Sequence, residues 1–165
     1  MIIIEGADGS GKSTLKCKLK KDLGLVDVSF TKVDPIDKRQ EMALRSPKDT
    51  RDMITDRSFF LSELVYSQLL RGFNIPQTIW IPLYQRLYEG HLIIICTGQG
   101  EEVRKDYDSD EEVWKKTQET KQQARDLYLT IAKELGTFMY NFDFHSYLDI
   151  RSLVINYMES FNERI

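Results

Sequence analysis

The chain has 165 residues, 41% of them hydrophobic and 30% charged, with a net charge of −3, the profile of one globular domain able to bury its own core. The acidic balance argues against a polymeric nucleic-acid partner or an anionic membrane, while leaving room for a local basic groove. No apolar stretch approaches the roughly 20 residues that span a bilayer, and two cysteines, Cys17 and Cys96, fit a reduced cytoplasmic chain better than a disulfide framework.

Met1 to Glu5 reads as a strand whose apolar run ends at Ile4, too short and without the preceding basic segment of a signal peptide. Directly after it, Gly6-Ala7-Asp8-Gly9-Ser10-Gly11-Lys12-Ser13-Thr14 fits G-x-x-x-x-G-K-[ST], the phosphate-binding P-loop. Gly6, Gly9 and Gly11 let the backbone approach a polyphosphate with its N–H groups turned inward, and the following helix adds the positive end of its dipole. In this pattern Lys12 reaches the β/γ-phosphates and Ser13 is placed to coordinate Mg²⁺. The chain is therefore expected to bind a nucleoside triphosphate.

Lys12 to Leu23 reads as a helix with Leu15, Leu19 and Leu23 on one face and Gly24 as its stop. Its lysines, Lys16, Lys18, Lys20 and Lys21, read as a solvated face. Val26 to Val33 alternates like a strand, placed at 27–33, and breaks at Asp34-Pro35. A short helix over Asp37 to Leu44 is followed by Ser46-Pro47. The cations of this stretch, among them Arg39, Arg45 and Arg51, are candidates for a second phosphate if the loop lies beyond the carboxyl ends of the strands.

A short buried strand over 52–55 leads to Asp56-Arg57 at its carboxyl end, then a helix from Ser58 to Arg71 with Gly72 as stop. A carboxylate at a strand tip beside a P-loop can hold the Mg²⁺ water shell, and an adjacent arginine can clamp a phosphate. The apolar face of 58–71 offers either core or a homodimer interface. Trp80 to Glu89 predicts a short helix started by Pro82, with Trp80 in the core and Leu83 and Leu87 facing inward. His91 to Cys96 is a continuous apolar run, as a doubly covered parallel strand requires, and it carries no acidic Walker B residue.

Thr97 to Asp110 lacks apolar periodicity and reads as a loop in which Arg104 and Lys105 are candidates to close over a transferring phosphoryl group. A long helix over Glu111 to Leu135, a strand at 137–141 and a helix opened by Ser146-x-x-Asp149 complete the chain. His91 and His145 read as structural. Alternating strands and helices predict an α/β, three-layer P-loop NTPase fold: five parallel strands at 1–5, 27–33, 52–55, 91–96 and 137–141, helices on both faces, and a short lid at about 97–117 within a single 1–165 domain.

Ile4 to Thr14, together with Thr55-Asp56-Arg57-Ser58 followed by Ser62 and Tyr66, resembles the thymidylate kinase group of P-loop nucleoside monophosphate kinases, most of all its short, phage-type members. The resemblance implies that Asp8 reaches the acceptor deoxyribose and that Asp56 and Arg57 serve the metal and the acceptor phosphate. It further implies a lid arginine, for which Arg104 is the candidate, and places Tyr66 beside the acceptor. Two departures are Ser58 in place of the family's tyrosine and a very short segment before the lid. The implied reaction is ATP- and Mg²⁺-dependent phosphorylation of dTMP or a related or modified deoxynucleoside monophosphate. Two rivals stand beside it: a kinase of a deoxynucleoside or of bases or ends in DNA, and a P-loop ATPase or switch with no acceptor. The absence of N-K-x-D and of an acidic Walker B strand speaks against the last.

Overall fold

The computed structural model describes residues 1–29, 35–99 and 119–161. Five strands, β1 (Ile2–Glu5), β2 (Val26–Asp27), β3 (Met53–Asp56), β4 (Leu92–Cys96) and β5 (Phe138–Tyr140), form one sheet. Their order is β2-β3-β1-β4-β5 and every pairing is parallel. The expected five-stranded parallel sheet is therefore present. The second strand is short: Val28 still donates to the Ile54 carbonyl (3.0 Å), but 30–34, where 27–33 was expected to continue, lie outside the described residues.

Among the described residues six helices accompany the strands: α1 (Lys12–Leu23), α2 (Ile36–Ala43), α3 (Phe59–Arg71), α4 (Gln77–Leu87), α5 (Lys121–Leu135) and α6 (Tyr147–Glu159). Period-2 alternation along the central strands sorts the core into two layers. Ile2, Ile4, Ile54, Ile94 and Cys96 face Leu15 and Leu19 of α1 and Ile150 and Val154 of α6. Ile3, Ile93 and Ile95 face the opposite way, onto Leu61, Leu64 and Val65 of α3, Trp80 and Tyr84 of α4, and Tyr128 and Ile131 of α5. Each fully buried Ile or Leu contributes up to about 1.5–3 kcal/mol. The apolar face of α3 is thus core of this chain.

Helix ends follow the expected chemistry at α1, α3 and α5, where Gly24, Gly72 and Gly136 take left-handed backbone as C-caps. At α6 the Ser146 hydroxyl accepts from the Leu148 N–H (3.2 Å), one residue short of the capping-box position. The helix over 77–87 departs from expectation. It starts beyond Pro76, and Pro82 lies inside it. The apolar stripe is consequently set by Trp80 and Tyr84, continuing to Tyr88, while Leu83 falls off it and is 58% exposed. Leu87 does pack against the core. Among the described residues no helix is long and apolar enough to cross a membrane.

One consequence of the topology concerns the cations. Parallel strands put β1's P-loop and β3's Asp56 at the carboxyl edge of the sheet. The chain from α2 to β3 returns to the amino edge, where Asp52 accepts from Val26 at the start of β2 and Pro47 lies against Gly90 just before β4. Arg45, paired with Glu41 (3.2 Å), and Arg51 therefore sit at the edge away from the P-loop, and the second-phosphate role expected among them does not fall there.

Candidate active site

Gly6 turns the chain out of the central strand with φ 140°, and a Cβ there would stand 2.3 Å from the Cys96 carbonyl oxygen. Only glycine allows the loop to pass this close to the end of β4. The loop closes on itself through Ser10 N–H to the Ala7 carbonyl (3.2 Å) and enters α1 at Gly11, φ 90°. The Ser10 hydroxyl is buried within it without a hydrogen-bond partner among the described residues. Lys12 is 7% exposed; its ammonium donates to the Ala7 carbonyl (2.7 Å) and lies 3.7 Å from Asp8. Burial, together with the Arg57 charge, pushes the Lys12 pKa down. Ser13 and Thr14 follow on the exposed first turn of α1.

Asp56 ends β3 and faces that turn. Its Oδ2 accepts from Ser13 Oγ (3.3 Å), and its Oδ1 accepts from Lys16 Nζ and Ser29 Oγ (both 2.6 Å). Lys16 also donates to Ser29 Oγ (2.9 Å) and lies 3.4 Å from Asp27. Its side chain is only 11% exposed. The expectation of a solvated lysine face thus fails for Lys16, because one turn beyond Lys12 the helix surface faces the tips of β2 and β3. Burial works against ionisation of Asp56, yet the hydrogen bonds from Lys16 and Ser29 outweigh it and hold the carboxyl below its usual range.

Ser13 and Asp56 offer adjacent hard oxygens. Among the described residues no group of three or more His, Cys, Asp or Glu side chains could cage a metal. A hydroxyl and a carboxylate oxygen side by side could hold Mg²⁺, whose remaining ligands come from phosphates and water.

Arg57 follows Asp56 with φ 78°, a left-handed conformation uncommon for a non-glycine residue. Its guanidinium donates to the Asp8 carboxylate and lies over the Tyr66 ring, 5.2 Å from the centroid. Burial raises the Tyr66 pKa to about 12, so the phenol stays neutral. Asp8, Arg57 and Tyr66, expected together at the acceptor, are thus neighbours. Ser58 has a role the sequence did not reveal: its hydroxyl shares a short hydrogen bond with Tyr88 of α4, and its N–H donates to the Glu5 carboxylate. Glu5 is fully buried and also receives Ser62 Oγ (3.3 Å) and Tyr128 OH (3.0 Å).

The sequence missed Glu5, Lys16, Ser29 and Tyr128. A weak signal existed for two of them: Glu5 is the one charge in an otherwise apolar strand, and Lys16 repeats Lys12 at i+4. The histidines behave as expected: His91 Nδ1 lies 3.1 Å from the Met1 amino group, and His145 Nδ1 accepts from the Asn141 N–H (2.9 Å). Arg104, Lys105 and most of the 97–117 lid, with the Arg39 side chain, lie outside the described residues.

No protein-family model matches the sequence, and no curated protein matches it. Among solved structures, the chain is similar to the YorR protein from Bacillus subtilis in complex with phosphorylated GDP. The identity is 18% and the TM-score 0.61, over 100% of this chain and 99% of that one. A deoxyadenosine kinase from M. mycoides with bound dATP aligns at 17% identity and a TM-score of 0.48, over 94% and 97% of the two chains. The first likeness shows the fold alone, an α/β domain whose parallel five-stranded sheet carries the P-loop at the end of its central strand.

Proposed function

We propose that the chain is an ATP-dependent phosphotransferase whose acceptor is a deoxynucleoside monophosphate, as in the thymidylate kinase-like group. The observation that carries this reading is the Asp8–Arg57 pair. A carboxylate inside a P-loop repels a triphosphate, so Asp8 has its use on the far side of the loop, toward a second substrate. Arg57 beside it supplies a fork-shaped cation suited to a monophosphate.

In this reading Gly6, Ala7, Gly9, Ser10, Gly11, Ser13 and Thr14 cradle the ATP phosphates and Lys12 reaches the β/γ-phosphates. A Mg²⁺ ion at Ser13 and Asp56 would neutralise charge on the same phosphates. Arg57 holds the acceptor phosphate in line; an acceptor oxygen forms its bond to the γ-phosphorus as the bond to the β–γ bridging oxygen breaks and ADP leaves. The acceptor oxygen is already anionic, so no general base is required. Asp56 accordingly serves as an orienting and metal-shell group. Residues 97–117, with Arg104, are proposed as a lid on a single kinase domain in the cytoplasm.

The test is transfer of labelled γ-phosphate from ATP to each common deoxy- and ribonucleoside monophosphate, to deoxynucleosides and to duplex DNA. A labelled nucleoside diphosphate from a deoxynucleoside monophosphate is expected. Product only on nucleosides or on DNA, or ATP hydrolysis unaffected by any acceptor, overturns the proposal.

A further inference from the structure

Arg57 is the one non-glycine residue with positive φ among the described residues, a conformation that costs on the order of 1–3 kcal/mol and persists only where the surroundings enforce it. The enforcing contacts are identifiable. The Arg57 N–H donates to the Ile4 carbonyl (2.9 Å), continuing the β1–β3 ladder one step past Asp56. The next N–H, that of Ser58, donates to the side chain of Glu5. The peptide units on either side of Arg57 are thus tied to consecutive residues of the central strand, one through main chain and one through a carboxylate. That carboxylate is itself fixed by Ser62 Oγ and by Tyr128 OH from the far helix α5.

We propose that Glu5 is a positioning residue that holds Arg57 in its left-handed conformation and so aims the guanidinium at the acceptor side of the P-loop. The carboxylate is fully buried and acts through the Ser58 N–H. Apolar burial could seat α3 on β1 equally well, and a buried carboxylate is costly unless its hydrogen bonds accomplish something packing does not. Here they fix a backbone turn that side-chain packing cannot specify. The assignment of Arg57 to the acceptor rests on the proposed function; the mechanical link from Glu5 to Arg57 does not.

Burial raises the Glu5 carboxyl to about 7, partly offset by the nearby Arg57 and by the Ser58 bond. The link is therefore testable by pH. The other titratable groups facing Glu5 are Tyr66 on α3, Tyr84 and Tyr88 on α4, Tyr128 on α5, Cys96 at the end of β4, and the cations Lys12 and Arg57. Burial raises the tyrosine phenols and the Cys96 thiol above their ordinary values, away from neutral pH, and lowers Lys12 from its own.

The experiment follows the ¹⁵N side-chain signal of Arg57 in the free protein, assigned by its loss in Arg57→Lys, across pH 5 to 9. In the wild type the signal is expected to shift with an inflection near 7. In Glu5→Gln, which leaves Lys12 in place, the inflection is lost and the signal above pH 7 is displaced toward its low-pH position. Ser62→Ala, which removes one donor to Glu5 and no contact to Arg57, should move the signal in the same direction by less, and it supplies the reading if Glu5→Gln does not fold. An inflection that persists in Glu5→Gln, or a signal indifferent to Ser62→Ala, overturns the proposal. No substrate enters the measurement, so failure to phosphorylate any monophosphate would sink the proposed function and leave this result standing.

Discussion

Asp8 and Arg57, 49 residues apart in sequence, form an ion pair across the gap between the P-loop and the tip of β3. In the proposed reaction the pair joins the donor-side loop to a side chain on the acceptor side. On that proposal Asp8 is the P-loop residue most sensitive to what binds opposite ATP. Replacing it by asparagine removes a charged hydrogen-bond partner, an effect of about 1.5–3 kcal/mol. Asp8→Asn is therefore expected to raise the acceptor KM roughly 10- to 100-fold with little change in the ATP KM. Steady-state kinetics with each substrate varied in turn checks this, and equal changes in both constants would contradict it.

Lys12 is the cation nearest the phosphate cradle, buried and held by the Ala7 carbonyl. Lys12→Ala is expected to lower kcat by at least about 100-fold, the range for losing a preorganised charge that meets the transition state. Turnover within a few-fold of wild type would remove the P-loop lysine from the chemistry.

Lys16 holds Asp56 through a 2.6 Å contact and keeps its carboxyl ionised to lower pH than usual. With Lys16→Met the hold is lost while burial remains, so Asp56 takes up its proton at higher pH. The acid limb of the pH–activity profile is expected to move upward in this variant. An unchanged limb would mean that the ionisation of Asp56 does not govern activity.

Glu5 supplies a stability prediction with a defined sign. Its carboxyl titrates at about 7 in the folded chain against an ordinary 4.5. Between those values the native state binds a proton that the unfolded state has released. The stability this proton confers is complete below 4.5 and is lost as pH rises through 7, with a slope of at most about 1.4 kcal/mol per pH unit. Glu5→Gln lacks that dependence. Urea unfolding of both proteins at pH 5 and pH 8 should show the stability gap between them shifting with pH in the variant's favour at the higher value. Parallel pH dependence of the two proteins would refute it.

The parts of the fold legible in sequence were those set by local pattern. The run Ile2 to Glu5, the glycines of the P-loop and the Leu15–Leu19 stripe each fix their own element, and the α/β alternation then leaves few ways to arrange the sheet. Helix α4 was misread at its start because Pro76 and Pro82 both qualify as helix openers. The choice falls to Trp80 and Tyr84, whose burial against α5 is a tertiary fact. Asp56 and Arg57 are legible as candidates through their place at a strand tip. Glu5 and Lys16 are not, since their roles arise only when α3, α5 and the tip of β2 close around them. No periodic pattern separates Lys16 from its exposed neighbours on α1.

Arg57 carries the account's central claim, that a monophosphate acceptor is held opposite ATP. The most direct measurement is the pair of KM values in Arg57→Ala. The acceptor KM is predicted to rise roughly 10- to 100-fold, as for loss of a charged hydrogen-bond partner, while the ATP KM stays within about twofold, the pattern of a contact made to one substrate only. A collapse of ATP binding, or an acceptor KM that does not move, would contradict the account.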